Sequence, residues 1–317
     1  MQIKKIPIYV WILIVIVAVG IFLRTYNFHD WMRFSMDQSR DALIISKAVS
    51  GEESLPLLGP LAGGTFFHLG PAYYQFSFLS AKIFGNYPDK MAYPSLFFSI
   101  LAMPLLFVFL REYFSKNISL VVTAAMSVSY FFVENSRFSS NPNLIPFFIL
   151  LFLYALLRIA NNSGKNIWWW AISAGIALGV GVQLHTTLLV IMPIFTVIVF
   201  AYLAKKMGVA QLKYLLAIMV ISLAVNTSQM INEFQTDWSN TKNFFDGMDK
   251  KGGGKSLTLK NAMTVPVCQA KSGIHMVFSF SVVKECSKMI DLSLRSGSKE
   301  VYPEIKDKIS RRTIYAL

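Results

Sequence analysis

Apolar residues run in long blocks through the first 230 positions, separated by short polar joints. Blocks at 6–23, 92–110, 118–134, 143–160, 167–184, 186–204 and 211–230 each approach the roughly 20 apolar residues that a helix needs to cross a bilayer. The pattern predicts an all-α polytopic membrane protein with about seven transmembrane helices. An additional apolar and aromatic stretch, 66–84, is broken early by Gly70-Pro71. It is either a further span or a helix lying in the interface. Residues 37–49 follow another rhythm. Ala42, Ile45, Ala48 and Val49 recur at helical spacing, with Arg40 and Lys47 elsewhere on the surface. That spacing predicts a short amphipathic helix at the membrane surface.

Charge orients the spans. Lys4 and Lys5 place the N-terminus in the cytoplasm. With 66–84 not crossing, three basic loops are also cytoplasmic: Arg111 with Lys116, Arg158 with Lys165, and Lys205, Lys206 with Lys213. With 66–84 crossing, all three fall outside, so the non-crossing arrangement is the expectation. The opposite face then collects 24–91, 135–142, the turn at His185 and the segment after Asn226. The first block resembles a signal peptide, but it is long and has no small-x-small cleavage site. An uncleaved first span is expected.

Composition supports the membrane reading and narrows the partners. The chain is 54% hydrophobic and only 15% charged, against about 25% charged in soluble domains. The net charge of +13 suits loops that set orientation and a tail near anionic lipid headgroups, so no nucleic-acid partner is expected. No internal repeat is evident. The run Lys250-Lys-Gly-Gly-Gly-Lys255 reads as a flexible linker. It divides the chain into a membrane region, 1–248, and a linker with a basic tail, 249–317. Met276 to Val283 is too short to cross and fits a strand. The tail is a small extramembrane domain or an aberrant end. Cys268 and Cys286, both in the tail, read as incidental thiols. No CxxC or His/Cys cluster supports a metal site, and no cofactor is expected.

The candidate chemistry lies on the outer face. Asp37, in Phe34-Ser-Met-Asp-Gln-Ser-Arg-Asp41, stands just beyond the first span, where a carboxylate is costly and is a functional candidate. It equally suits an N-terminal helix cap. Phe67-His-Leu-Gly-Pro-Ala-Tyr-Tyr74 offers His68, Tyr73 and Tyr74 as ligand contacts or as an aromatic belt. Arg137, at the outer end of a span, suits a phosphate or carboxylate through its forked donors. It equally suits snorkelling to headgroups. His185 sits at a turn between two spans, as a ligand contact or a structural His. Glu233 adds another outer-face carboxylate.

The order of these pieces resembles a known superfamily. Asp37-Gln-Ser-Arg-Asp41, Leu57-Leu-Gly-Pro60 and Leu69-Gly-Pro-Ala-Tyr-Tyr74 are similar to the first extracytoplasmic loop of the dolichyl-phosphate-mannose–protein mannosyltransferase-like enzymes. These are GT-C fold membrane glycosyltransferases that include bacterial aminoarabinose transferases. Ser136-Arg137, Asn141-Pro-Asn143, Gln183-Leu-His185 and Asn232-Glu233 resemble later pieces of the bacterial members in family 39. The resemblance covers roughly 5–248 and rests on order rather than on any one motif.

The resemblance implies a GT-C-like bundle with interfacial helices in its first loop, in a bacterial cytoplasmic membrane. It implies transfer of a sugar from a polyprenyl-phosphate carrier to a lipid, glycan or protein acceptor on the extracytoplasmic side, with inversion. Asp37 then matches the family's base. Arg137, His185 and Arg40 are the candidates for the leaving phosphate, with Tyr73, Tyr74, His68 and Glu233 around the substrates. Many relatives read Asp-Glu where this chain has Asp37-Gln38, which removes support for a divalent metal. Relatives are usually longer, so an incomplete enzyme is one reading of this chain. The competing classes are a non-catalytic transporter or flippase and a degenerate scaffold relative. Transporters tend to put charged residues and broken helices at the midplane, whereas the polar residues here gather on one face.

Overall fold

Each apolar block becomes helix, whole or in pieces, and the polar joints become turns or short helices. The computed structural model describes residues 6–63, 65–161 and 166–252. The chain divides into two units, Met1–Gly254 and Lys255–Leu317, and the described residues all lie in the first. The tail 256–317, with Cys268, Cys286 and the strand expected at Met276–Val283, lies outside the described residues.

The helices are α1 (Ile8–Thr25), α2 (Met36–Ser50), α3 (Ala72–Phe84), α4 (Pro88–Met91), α5 (Tyr93–Leu110), α6 (Lys116–Val128) and α7 (Tyr130–Asn135). A 3-10 turn, Asn141–Leu144, opens α8 (Ile145–Ala160). Then come α9 (Ile167–Leu184), α10 (Thr186–Met207), α11 (Leu212–Val225), α12 (Thr227–Gln235) and α13 (Ser239–Gly252). Among the described residues, five stretches are long and apolar enough to span: Ile8–Thr25, Pro88–Leu110, Asn141–Ala160, Ile167–Leu184 and Thr186–Met207. A sixth is added if the pair Val209–Val225 and Thr227–Gln235, bent by 64°, is one span.

The count of about seven is trimmed at two places. The block 118–134 splits at Ser129, whose backbone is extended (φ −60°, ψ 123°). Its longer piece, α6, has 13 residues and reaches about 20 Å, short of a hydrocarbon core of about 30 Å. Arg24 explains how the break is tolerated. Its guanidinium donates to the carbonyls of Ser127 (2.7 Å), Met126 (3.3 Å) and Gly20 (3.0 Å), and to Ser99 Oγ (2.9 Å). The residue expected to open the outer loop is therefore buried in the last turn of α1. The block 211–230 bends after Val225, where Asn226 Nδ2 donates to Ser222 O and Gly179 O.

The ambiguous stretch 66–84 resolves as α3, also 13 residues and about 20 Å, too short to cross. It packs on α2 instead. Ile45, Tyr73, Tyr74, Ala81 and Met91 form a small core there, flanked by Ala42 and Val49. The apolar face of α2 thus meets protein rather than lipid alone. Helix α13 runs through Gly252, so helix occupies the first residues of the expected linker.

Helix α9 is the spine of the main core, packed between α8 and α11 with Ala174, Ala177 and Leu178 fully buried. Close approach to α11 depends on Gly175 and Gly179. A Cβ on Gly179 would stand 2.8 Å from Val225 Cβ, and one on Gly175 would stand 2.8 Å from Ile221 Cβ. Small residues four apart are the usual way for membrane helices to meet closely. Gly179→Leu is expected to lower stability by about 1–3 kcal/mol through overpacking, read as earlier thermal unfolding in detergent. Unfolding at the wild-type temperature would show that the α9–α11 contact is looser than described.

The motif glycines have a similar cause. Residues 59–69 fold back as a narrow hairpin, with Gly59 N–H donating to Leu69 O, Leu69 N–H to Pro60 O and Ala62 N–H to Phe67 O. A Cβ on Gly59 would lie 2.1 Å from Gly70 O, and one on Gly70 would lie 2.3 Å from Gln183 Cγ. Gln183 Oε1 accepts the Ala72 N–H, and its Nε2 donates to Gly179 O and Val225 O. One buried amide thus joins the start of α3 to the ends of α9 and α11.

Candidate functional site

The site grows from the first turn of α2. Ser35 is the N-cap, and Gln38 Oε1 reaches back to the Ser35 N–H at 3.1 Å and to its hydroxyl, a capping box. The cap expected of Asp37 is therefore supplied by Ser35 and Gln38. Asp37 is left in the first turn with its side chain 75% exposed. Gln38 has a local capping task here, one that a Glu also performs, so the cap does not distinguish this chain from the Asp-Glu pattern.

Arg40, one turn on, joins two carboxylates. Its Nη1 donates to Asp37 Oδ1 at 3.0 Å, while Nε and Nη2 both reach Asp41 Oδ1, at 2.9 and 2.8 Å. Tyr74 OH donates to the same Asp41 oxygen at 2.9 Å. The Asp41 side chain is only 7% exposed. Burial pushes its carboxyl above the usual range, opposed by the bonds from Arg40 and Tyr74. Burial tends to lower Arg40, but pairing with Asp41 holds it above its ordinary value. The two arms are unequal. The Asp37 arm is solvent-exposed, and pairs of that kind contribute about 0.2–1 kcal/mol.

These residues line a cavity of about 890 Å³ whose other walls are the 60–69 hairpin, Ser140–Pro142, Leu184–Thr186, Phe244 and Gly247. Three helices bring N-terminal ends to it: α2, the helix Asn141–Ala160, and α10. Helix N-termini carry partial positive charge and orphan N–H groups, so the cavity suits an anion. His185 is the N-cap of α10, with Nδ1 accepting the Thr187 N–H at 3.2 Å. With Nδ1 so engaged, the neutral ring carries its proton on Nε2, available as a donor. Asn141 donates to Leu184 O at 3.5 Å, while its buried Oδ1 has no hydrogen-bond partner. Among the described residues, no group of three or more His, Cys, Asp or Glu side chains is placed to share a metal ion.

Of the sequence candidates, Asp37, Arg40 and His185 share this cavity and the others do not line it. Arg137 is buried against the end of α1. It donates to the carbonyls of Leu23, Arg24, Tyr26 and Asn27 at 2.7–3.3 Å and lies over the Phe28 and Trp31 rings. Burial lowers its pKa. It caps α1 through Nη1 and Nη2, its buried Nε has no hydrogen-bond partner, and it stands outside the cavity.

His68 likewise serves the scaffold, with Nδ1 2.9 Å from Gly59 O and its peptide held on both sides by the Asn240 amide. Glu233 accepts from Thr241 Oγ1 at 2.9 Å and ties α12 to α13. Tyr73 and Tyr74 are buried rather than belt residues. Tyr73 OH donates to Ser139 Oγ at 3.0 Å, and Tyr74 supports Asp41. Burial pushes both phenols upward. Sequence reasoning missed Asp41 and Asn141. The recurrence of Asp41 on the same helix face as Ile45 was the available signal.

Comparison with known proteins agrees with the fold. The crystal structure of ArnT from Cupriavidus metallidurans in the apo state superposes with a TM-score of 0.53 at 13% identity, over 75% of this chain and 43% of that one. A second ArnT structure, bound to undecaprenyl phosphate, gives 0.49 at 12% identity, over 74% and 42%. The chain thus spans less than half the length of the protein it resembles in fold. No curated protein sequence gives a significant match. The family model for dolichyl-phosphate-mannose-protein mannosyltransferase matches residues 69–228, half of the chain, including Arg137 and His185 but not Asp37 or Arg40. With that match and the GT-C-like helical bundle together, the chain belongs to the dolichyl-phosphate-mannose-protein mannosyltransferase family, as an integral membrane protein.

Proposed function

We propose that this chain carries the transfer site of a glycosyltransferase that moves a sugar from a polyprenyl-phosphate carrier to an acceptor hydroxyl. The observation that carries the reading is the shared cavity. It holds one exposed carboxylate, Asp37, beside two groups suited to a leaving phosphate, Arg40 and His185.

The chemistry follows from those groups. Asp37 takes the proton of the acceptor hydroxyl as its oxygen attacks the anomeric carbon. The bond from that carbon to the phosphate oxygen breaks, and the electron pair leaves with the lipid phosphate. Arg40, the His185 Nε2–H and the helix N-termini stabilise that charge. One direct displacement inverts the anomeric centre.

The extracytoplasmic face of a bacterial cytoplasmic membrane is the side we assign to the cavity. Arg158 pairs with Glu112 at 3.2 Å, and Lys116 lies over the Tyr9 ring near the start of α1. These contacts gather basic joints at the end of the bundle away from the cavity, and basic joints favour the cytoplasm.

The test is transfer of radiolabelled sugar from polyprenyl-phosphate donors in membranes containing the chain. Label is expected in a membrane or envelope acceptor. His185→Ala is expected to reduce the rate about 10- to 100-fold by removing one donor to the leaving group. Inserted, folded protein with no transfer from any such donor would overturn the proposal.

A further inference from the structure

We propose that Asp41 is a positioning residue that makes Arg40 an exchangeable clamp, so that the donor phosphate releases the catalytic base as it binds. The inference rests on the transfer reading above and adds how that site is switched on.

Asp41, a mostly buried residue of the cavity wall, holds Arg40 through Nε and Nη2, with Tyr74 fixing the same carboxylate oxygen. That leaves Nη1 as the arm facing Asp37, whose side chain is exposed in the cavity. With Oδ1 held by Nη1, Asp37 leaves only Oδ2 to receive an acceptor's proton. The donor's phosphodiester, entering among the three helix N-termini, competes for Nη1. It carries one negative charge, as Asp37 does, and gains in addition from the helix ends. Because Asp41 keeps its two bonds, the guanidinium stays in place and Nη1 exchanges Asp37 for the phosphate as its partner. Asp37 is then free to take the acceptor's proton, while Arg40 receives the charge that develops on the leaving oxygen. An empty site thus keeps its base tied, and donor binding frees it.

The arrangement predicts opposite effects from two neighbouring carboxylates. The probe is farnesyl phosphate, titrated against the full chain in detergent, with inorganic phosphate as the lipid-free arm. Asp37→Asn removes the competitor for Nη1 and is expected to tighten farnesyl phosphate binding about two- to fivefold, the affinity equivalent of one exposed pair. Nonspecific damage to the site would weaken it. Inorganic phosphate should bind more weakly with the same ordering of variants. Its matching farnesyl phosphate in affinity would overturn the lipid-phosphate assignment.

Asp41→Asn leaves the charge of Arg40 but not its anchor. Farnesyl phosphate is expected to bind at one site per chain with undiminished affinity, while kcat for transfer falls at least tenfold. Arg40→Lys, which offers one ammonium in place of the fork, should show the same split and guards against misfolding of the Asp41 variant. Unchanged or weaker binding by Asp37→Asn, or a kcat within twofold of wild type for Asp41→Asn, would overturn the clamp and leave the transferase reading standing. Wild-type chain that neither binds farnesyl phosphate nor transfers sugar would overturn the transferase reading itself.

Discussion

Asp37→Asn is expected to reduce sugar transfer by about 10²–10⁴-fold, the range for losing a general base, while insertion and stability stay close to wild type. The asymmetry follows from where Asp37 stands. Its side chain is 75% exposed, and its ion pair to Arg40 is at the surface. Removing that pair changes stability by no more than about 1 kcal/mol. The N-cap survives because Ser35 and Gln38 supply it. Asn has nearly the same shape but accepts no proton at neutral pH. The measurement is the initial rate of labelled-sugar transfer beside the detergent unfolding temperature. A rate within a few-fold of wild type would remove Asp37 as the base and return attention to the cavity's other acid, Asp41.

Arg24→Leu is expected to have the opposite profile, with a large loss of stability that transfer follows only as folded protein is lost. Two effects compete. Removing a cation from the membrane region relieves a burial cost of at most about 3 kcal/mol at mid-bilayer on insertion scales, and less near an interface. Arg24 lies in the last turn of α1, where that relief is small. Against it, the carbonyls of Met126 and Ser127 and the hydroxyl of Ser99 lose their donor. A buried acceptor left bare costs about 1–3 kcal/mol. The net loss is about 2–5 kcal/mol. Arg24→Lys, which restores charge and some donors, should fall between. Thermal unfolding of the three proteins in one detergent decides it. A leucine variant as stable as wild type would show that the break at Ser129 is held by something else.

Helix positions were largely legible from hydrophobic spacing, because lipid imposes length and polarity on each span. The amphipathic face of α2 was legible too, as was His185 at its turn. What lay beyond reach was which polar groups consume one another. Arg137 has the side chain of a phosphate ligand, but the chain returns the end of α1 to it across more than a hundred residues, and four carbonyls take donors from its Nη1 and Nη2. Asp41 looked like one more polar position on a surface helix. Only the packing of α2 on α3 reveals that Tyr74 and Arg40 enclose it. The breaks at Ser129 and after Val225 were hidden for the same reason. Hydropathy reads composition, whereas a break depends on a distant Arg24 or Asn226 to satisfy the freed carbonyls.

The Asn240 amide grips both sides of the His68 peptide, and Phe244 packs edge-on to Phe67 at 5.0 Å. This sets an order of events during biosynthesis. The ribosome delivers Asp37 and the hairpin early, and the last wall of the cavity some 170 residues later. At typical elongation rates of about 5–20 residues per second, that interval is roughly 10–30 s. Throughout it, the base-bearing helix waits at the membrane surface beside an unfinished chamber. A nascent chain halted before residue 240 would hold its spans in place and expose the hairpin to protease. One released past 247 would protect it.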